Sequence, residues 1–310
     1  GLVALGAWMP RADAPGGITD EAFREDPRQT RPIVLARDAH KRVAQGNLAL
    51  SYSRQLDAVR LRTTLNGGIR ALRNPIVPRY IDLNRRTLGL RTVLEGGNEL
   101  TWGVGVEAEA QRDDRLETSN EEGQPGNEVL TDQLETVRAG AAFGRLAWRL
   151  SPVITATAAL RADALRYRAD PDNDVPTTRT IAAASPSLGL SLLLPQSAGS
   201  STLYANVSGA LDAPTTTELG NRTDGQAGFN PDLRPERTWG AEVGTRTVRQ
   251  LGSGTVGLDG AAFVALARDL LLPFDVDEVT AYRNEGEARH VGVELAISAQ
   301  GIELASGRLH

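Results

Sequence analysis

Residues 230–244 read Asn230-Pro231-Asp232-Leu233-Arg234-Pro235-Glu236-Arg237-Thr238-Trp239-Gly240-Ala241-Glu242-Val243-Gly244. Pro231 and Pro235 have no N–H to give to a ladder, so strand pairing can begin only near Glu236. From there the residues alternate. Trp239, Ala241 and Val243 fall on one side, and Glu236, Thr238, Gly240, Glu242 and Gly244 on the other. The stretch predicts a loop end that feeds a strand with one apolar and one polar face. A second phrase, Tyr282 to Leu295, reads YRNEGEARHVGVEL and follows one hairpin later. In it Val291, Val293 and Leu295, continued by Ile297, oppose Gly292, Glu294 and Ser298.

The same pattern runs through the chain. Predicted strands cover Gly1–Trp8, His40–Gln55, Val59–Arg73, Arg79–Glu95, Glu99–Gln111, Asp132–Leu150, Val153–Arg168, Thr180–Leu194, Ser201–Leu211, Pro235–Gln250, Thr255–Leu271 and Tyr282–Ala299. Short turns at Leu56-Asp57-Ala58, Gly96-Gly97-Asn98, Ser151-Pro152, Pro195–Ser200 and Leu251–Gly254 alternate with longer polar connections. The longer ones are Pro10–Ala39, Arg112–Thr131, Ala169–Pro176, Asp212–Arg234 and Leu272–Ala281, and on the same side Asn74-Pro75-Ile76-Val77-Pro78 joins Val59–Arg73 to Arg79–Glu95. Such a rhythm is that of up-and-down outer-membrane barrels, with tight turns on one side and long loops on the other.

The polar faces carry full charges: Arg60, Arg62 and Arg70 oppose Val59, Leu61, Leu65 and Ile69, and Glu107 and Glu109 oppose Trp102, Val104 and Val106. Each unpartnered charge in a dry core costs several kcal/mol, so this face borders water, either in a wide bore or in bulk solvent. A soluble two-layer sheet would instead stack its apolar faces. The loop rhythm favours an all-β, antiparallel up-and-down transmembrane β-barrel fragment. Aromatic residues are only 5% of the chain, fewer than interfacial girdles usually use, so Trp8, Trp102, Trp148, Trp239 and Tyr282 would form a sparse girdle. About twelve strands stand against roughly 22 in plugged outer-membrane transporters. Residues 1–310 are therefore expected to be one partial barrel domain, with the first strands and the last strands outside it.

Composition narrows the class further. The net charge of -5 lacks the basic balance of a nucleic-acid binder, and the absence of cysteine removes disulfides and thiolate metal sites. No apolar run of roughly 18 residues offers a membrane helix, which leaves barrel strands untouched. No export signal is visible at Gly1, and the only methionine is Met9, so the chain is expected to begin inside a longer protein.

The N-P-x-L-x-P-E run with its E-x-G strand (Asn230, Pro231, Leu233, Pro235, Glu236, Glu242, Gly244) is followed by Y-x-N-x-G-x-A-x-x-x-G-V-E-L (Tyr282, Asn284, Gly286, Gly292, Glu294). Together they resemble the late barrel of TonB-dependent outer-membrane receptors. Tyr204–Ser208, Ala213-Pro214-Thr215, Glu218-Leu219 and Ser185–Leu190 are similar to the passage before it. Arg73-Asn74-Pro75 with Asp82, and Asp132 to Trp148, resemble ferric-complex receptors of that family. The resemblance implies active import of a ferric siderophore or other iron chelate across the bacterial outer membrane. It also implies contact with outer-membrane lipid and lipopolysaccharide, and coupling to the TonB–ExbB–ExbD system through a plug domain expected outside residues 1–310. The alternatives are a passive porin or the barrel anchor of a surface adhesin, and, outside the membrane, a soluble β-sandwich.

No catalytic constellation emerges. His40, His290 and His310 are isolated in sequence, and Gly252-Ser253-Gly254 is a turn with no helix after it. Asp170, Asp172 and Asp174 alternate in a loop as ligands of a hard cation such as Ca2+ do, but they lack the glycine and distal glutamate of a calcium loop. Arg70, Arg73 and Arg79 lie in the densest cationic stretch and are the candidates to attract an anionic chelate. Their alternative roles are pairing with Glu107, Glu109 or Glu242, or contact with lipid phosphates.

Overall fold

The structure, a computed structural model, describes residues 1–310 except 173, 221, 223–227, 277–278, 305–306 and 310, and describes the backbone alone at 279, 302–304 and 307–309. Asn173 of the acidic loop and His310 lie outside the described residues. Strands β1 (Leu2–Asp13), β2 (His40–Leu56), β3 (Val59–Pro75), β4 (Arg79–Gly96), β5 (Leu100–Glu121) and β6 (Gln124–Arg149) each pair antiparallel with the next. The ladder continues through β7 (Ile154–Pro171), β8 (Thr177–Gln196), β9 (Gly199–Asp212), β10 (Glu236–Leu251) and β11 (Gly254–Arg268). A separate hairpin of β12 (Leu271–Val276) and β13 (Val279–Asn284) intervenes before β14 (Glu287–Gln300), which pairs with β11 and is the far edge of this 12-stranded sheet. Beyond it, Ile302–Leu304 (β15) and Gly307–Leu309 (β16) form a short ladder. Helices α1 (Asp20–Glu25), α2 (Pro32–Ala36) and α3 (Thr216–Gly220) lie in the connections.

Register makes the two-faced pattern continuous, because directly opposed residues share a face. One row runs Leu50, Leu65, Leu90, Ala108, Gly140 and Ala164 across β2 to β7. Another runs Val207, Ala241, Val264 and Val291 across β9, β10, β11 and β14. This apolar face has no protein against it: Val293 is 81% and Ile297 71% exposed. On β5 it extends from Leu100 to Ala110, about 34 Å at ~3.4 Å per residue. At a tilt of about 45° that is about 24 Å along a membrane normal, close to the height of a barrel's lipid-facing band. Trp8 and Trp239 sit on this face toward its loop end, and Trp102 and Trp148 toward its turn end. The apolar faces therefore do not stack into the dry interior that a β-sandwich requires.

Three sequence expectations change. Residues 112–131 are not a long loop: β5 and β6 run on as a paired hairpin with its turn at Glu122 and Gly123. Their charges resembled a solvated loop, yet they continue the period of two and find ion partners across the ladder. The loop expected at 272–281 is largely the β12–β13 hairpin. For the same reason the strand expected from Tyr282 begins at Glu287, and Gly286, at φ 83°, makes the joint that separates β13 from it. Tyr282 is consequently half-buried in a loop hairpin and does not belong to an interfacial girdle. On the loop side, 76–78 and the Glu122-Gly123 turn are short, whereas 14–39 and 213–235 are long.

Candidate functional site

The two sequence phrases meet at the loop end of the sheet. Leu233, 2% exposed, enters a small core with Tyr167, Ala169, Ile181, Leu219 and Phe229, against which Leu271 and Tyr282 also pack. Tyr167 and Phe229 meet edge to face with centroids 6.1 Å apart. The Asn230 side chain accepts from the Asp232 N–H at 2.9 Å, and the Asn230 N–H donates to the Leu219 carbonyl at 2.7 Å. Arg179 on β8 donates to the Asn230 carbonyl at 2.5 Å and to that of Leu233. Asn284 completes the clasp. Its amide oxygen accepts from the Arg234 N–H at 2.6 Å, and its NH2 donates to the carbonyls of Arg234 (2.8 Å) and Asp269 (2.7 Å). The phrase 230–236 is thus a latch: an asparagine turn, a leucine plug, and a proline that releases the chain into β10 at Glu236.

A second asparagine ties down the N-terminal connection. Asn120, fully buried, donates to the carbonyls of Arg37 (2.8 Å) and Ile76 (3.1 Å) and accepts from the Gly123 N–H (2.8 Å), while Arg37 donates to the Asn120 carbonyl at 2.7 Å. Beside it Arg11 reaches Asp38 with two hydrogen bonds, at 2.6 and 3.2 Å, and holds that carboxyl below the ordinary carboxylate range.

Between these anchors the polar face carries an ion-pair network. Arg115, 8% exposed, binds Glu135 at 2.7 Å and Glu117 at 2.9 Å, and its third contact is the Thr217 hydroxyl of α3 at 3.1 Å. Arg85 holds the fully buried Asp113 through two bonds, at 2.9 and 2.7 Å. Nearer the turn end, Arg161 bridges Glu107 (2.6 Å) and Asp163 (2.9 Å), and Arg91 also pairs with Glu107. The Arg91 guanidinium lies 4.7 Å from the centroid of Phe143. A recess lined by Arg85, Gln111, Arg161, Asp163, Tyr167 and Thr217 opens on this face below the latch.

The three candidate arginines separate. Arg70 is on the polar face opposite Gln45 and Arg85, and its Nε is buried with no hydrogen-bond acceptor. Arg79 is engaged by Glu117 at 2.6 Å. Arg73 has the opposite parity and lies on the apolar side of the sheet, paired with Asp82 at 2.5 Å. Asp170 is held by Arg168 at 2.5 Å, Asp172 and Asp174 are exposed, and Asp174 accepts from the Val175 N–H at 2.6 Å. Among the described residues no group of three or more His, Cys, Asp or Glu side chains is placed to hold a metal ion.

Of the remaining motif residues, Glu242 and Glu294 are on the polar face, as are Gly244 and Gly292. These glycines admit a ring: a Cβ at Gly244 would lie 2.5 Å from the Tyr204 hydroxyl, and one at Gly292 2.6 Å from Phe263 Cζ. Pro231 is exposed and Pro235 is half-buried. Sequence reasoning did not single out Tyr167, Arg179, Phe229, Asp113, Arg115 or Glu135. For Asp113 and Arg115, alternation carried on past Gln111 was the available signal; Glu135 lay within the expected strand Asp132–Leu150.

A family model described as TonB dependent receptor-like, beta-barrel matches residues 11–308. Among solved structures, the ferric citrate transporter FecA is 17% identical at a TM-score of 0.65, covering 96% of this chain and 44% of that one. The copper transporter OprC is 18% identical at a TM-score of 0.63, with 84% of this chain and 44% of that one covered. The ferric yersiniabactin uptake receptor FyuA from Yersinia pestis is 16% identical at a TM-score of 0.58, with 84% and 40% covered. The chain thus spans less than half the length of these structures.

Proposed function

This chain belongs to the TonB-dependent receptor β-barrel family of the outer membrane, and from that premise we propose that it forms about half the wall of an importer for an anionic metal chelate, foremost a ferric siderophore or other iron chelate. The two unpaired edges, β1 and β14, support a wall that is completed by further strands, because open ladder groups in hydrocarbon cost several kcal/mol each. In this proposal the apolar face meets lipid, the ion-paired face lines the bore, and the TonB–ExbB–ExbD system supplies the energy. The family is one of transport receptors, and the proposed role is transport rather than catalysis.

The observation that carries the choice of an anionic ligand is Arg70. It is a cation on the bore face whose immediate cationic neighbour Arg85 is already neutralised by Asp113 and whose own Nε has no acceptor. That Nε is buried, so a carboxylate, catecholate or hydroxamate oxygen of a chelate would pair with the rest of this half-buried guanidinium.

The test is uptake of labelled ferric chelates by cells carrying the complete receptor. Uptake should require TonB and the proton gradient, and Arg70→Ala should weaken chelate binding by about tenfold, the loss of one charged hydrogen bond of roughly 1.5 kcal/mol. Uptake that persists without TonB would point to a passive porin. Unchanged affinity in the variant would remove Arg70 from recognition. For the acidic loop we propose a solvated segment tied by Arg168, so added Ca2+ should leave the melting temperature of the complete receptor unmoved, and a rise would restore the calcium site.

A further inference from the structure

The bore face carries a surplus of positive charge at its turn end, far from Arg70. Along β3 the stretch from Arg70 to Arg60 covers about 34 Å, or about 24 Å along the barrel at a strand tilt of about 45°. At that level Arg60 stands opposite Glu95 of β4, Glu95 opposite Gly103 of β5, and Gly103 opposite Arg145 of β6. Arg62 is the next residue of β3 on the same face. All three arginines are exposed.

One carboxylate serves these three guanidinium groups. Glu95 pairs with Arg62 and, through its other oxygen at 3.2 Å, with Arg145. Arg60 has the Gln55 amide oxygen at 3.3 Å and, among the described residues, no carboxylate within 4.0 Å. Three cations against one anion leave two positive charges in excess. Nearer the middle of the wall the cations are satisfied from within: Arg91 and Arg161 share Glu107, Arg161 adds Asp163, and both lie against the Phe143 ring.

The turn-end arginines also border open space. A recess of about 580 Å³ is lined by Arg60, Glu95 and Arg145, with the small residues Ala147, Thr157 and Ser187 beside them. A second recess, of about 630 Å³, shares Glu95 and Arg145 with it and adds Arg62. Volumes of this size hold small ligands. Arg145 reaches Glu95 across Gly103, where a Cβ would lie 3.0 Å from its Nε. The strands bearing Arg60 and Arg145 are three spacings apart, about 14 Å, so a molecule with several carboxylates can engage both sides of Glu95.

We propose that Arg60, Arg62 and Arg145, arranged around Glu95, form a second anion site at the turn end of the bore, and that it takes a small molecule bearing several carboxylates. The proposal rests on the import reading, in which an anionic chelate travels from Arg70 toward this end. A free polycarboxylate entering from the turn side has the same chemistry.

The experiment maps the modification of arginines by phenylglyoxal in the complete receptor, using peptide mass spectrometry. The probes are citrate, its ferric complex and the uncharged trimethyl ester of citrate. Arg60 and Arg145 should react in the free receptor, and a probe at about ten times its dissociation constant should slow them about tenfold. Arg24, 80% exposed in the 14–39 connection, should react at the same rate throughout, and the ester should protect none of them. Glu95→Gln should bind citrate several-fold more tightly because the competing carboxylate is gone, whereas a purely structural Glu95 predicts unchanged or weaker binding. Protection by ferric citrate alone ties the site to the imported chelate, and protection by citrate as well ties it to both sources. Unreactive Arg60 and Arg145 in the free receptor, no protection by either anion, equal protection by the ester, or no gain in Glu95→Gln would each overturn the proposal. Protection in a receptor that takes up no chelate would remove the import reading and leave the site, and TonB-dependent uptake with unprotected arginines would remove the site alone.

Discussion

The clasp made by Asn284 gives a quantitative test of the latch. In Asn284→Ala the Arg234 N–H loses its acceptor, and the carbonyls of Arg234 and Asp269 lose a donor. Net hydrogen-bond contributions are about 1 kcal/mol each, toward the lower end where water can replace the partner, as it can at Arg234. Three such bonds amount to about 2 kcal/mol, a roughly 30-fold rise in the population of the opened latch. Leu233 remains in its core, so opening is local and the ladder from Glu236 onward is preserved. Hydrogen exchange followed by mass spectrometry on the complete receptor resolves this. Peptides covering the Arg234 amide should exchange about 30-fold faster, and peptides within β10 should be unchanged. If the latch peptides exchange at the parent rate in a folded Asn284→Ala protein, the clasp contributes nothing and the two phrases are adjacent without being coupled.

Three further outcomes are expected. Arg115→Met leaves Glu135 buried without its cation, while Glu117 keeps Arg79, and should lower stability by about 3–5 kcal/mol, visible as a lower denaturation midpoint. Gly244→Ala places a methyl against Tyr204 and should cost about 1–3 kcal/mol; the double variant with Tyr204→Ala should recover part of it, and a melting temperature equal to the parent's in the single variant would refute the close approach. Asp38 has a folded-state pKa below its ordinary value of 3.8, so its contact with Arg11 contributes stability above that value and loses it as pH falls through the lowered one. Protease nicking within 14–39 should therefore rise only in that acid window, and Asp38→Asn should remove the pH dependence.

Much of the sheet was legible because a period of two needs no long-range knowledge. Strands such as His40–Leu56 and Glu236–Leu251 fall within a residue or two of their sequence-derived limits. What was hidden is what depends on a partner far along the chain. Asp113 and Arg115 look like loop residues until Arg85 and Glu135 are seen beside them. Arg73 appears to join Arg70 in a cationic cluster, yet an odd spacing within one strand places them on opposite faces. The latch phrase could be recognised from its prolines, but the role of Asn284 depends on a contact with Arg234, 50 positions away in sequence.

The pairing of each strand with its nearest predecessor in the sheet has a consequence for how such a wall changes in size. Removing or duplicating one hairpin leaves every other register intact, since no pairing reaches across the excised segment except the new junction. Removing a single strand would either set parallel neighbours side by side or move every later turn to the opposite membrane surface. Growth and shrinkage of this architecture are therefore quantised in twos.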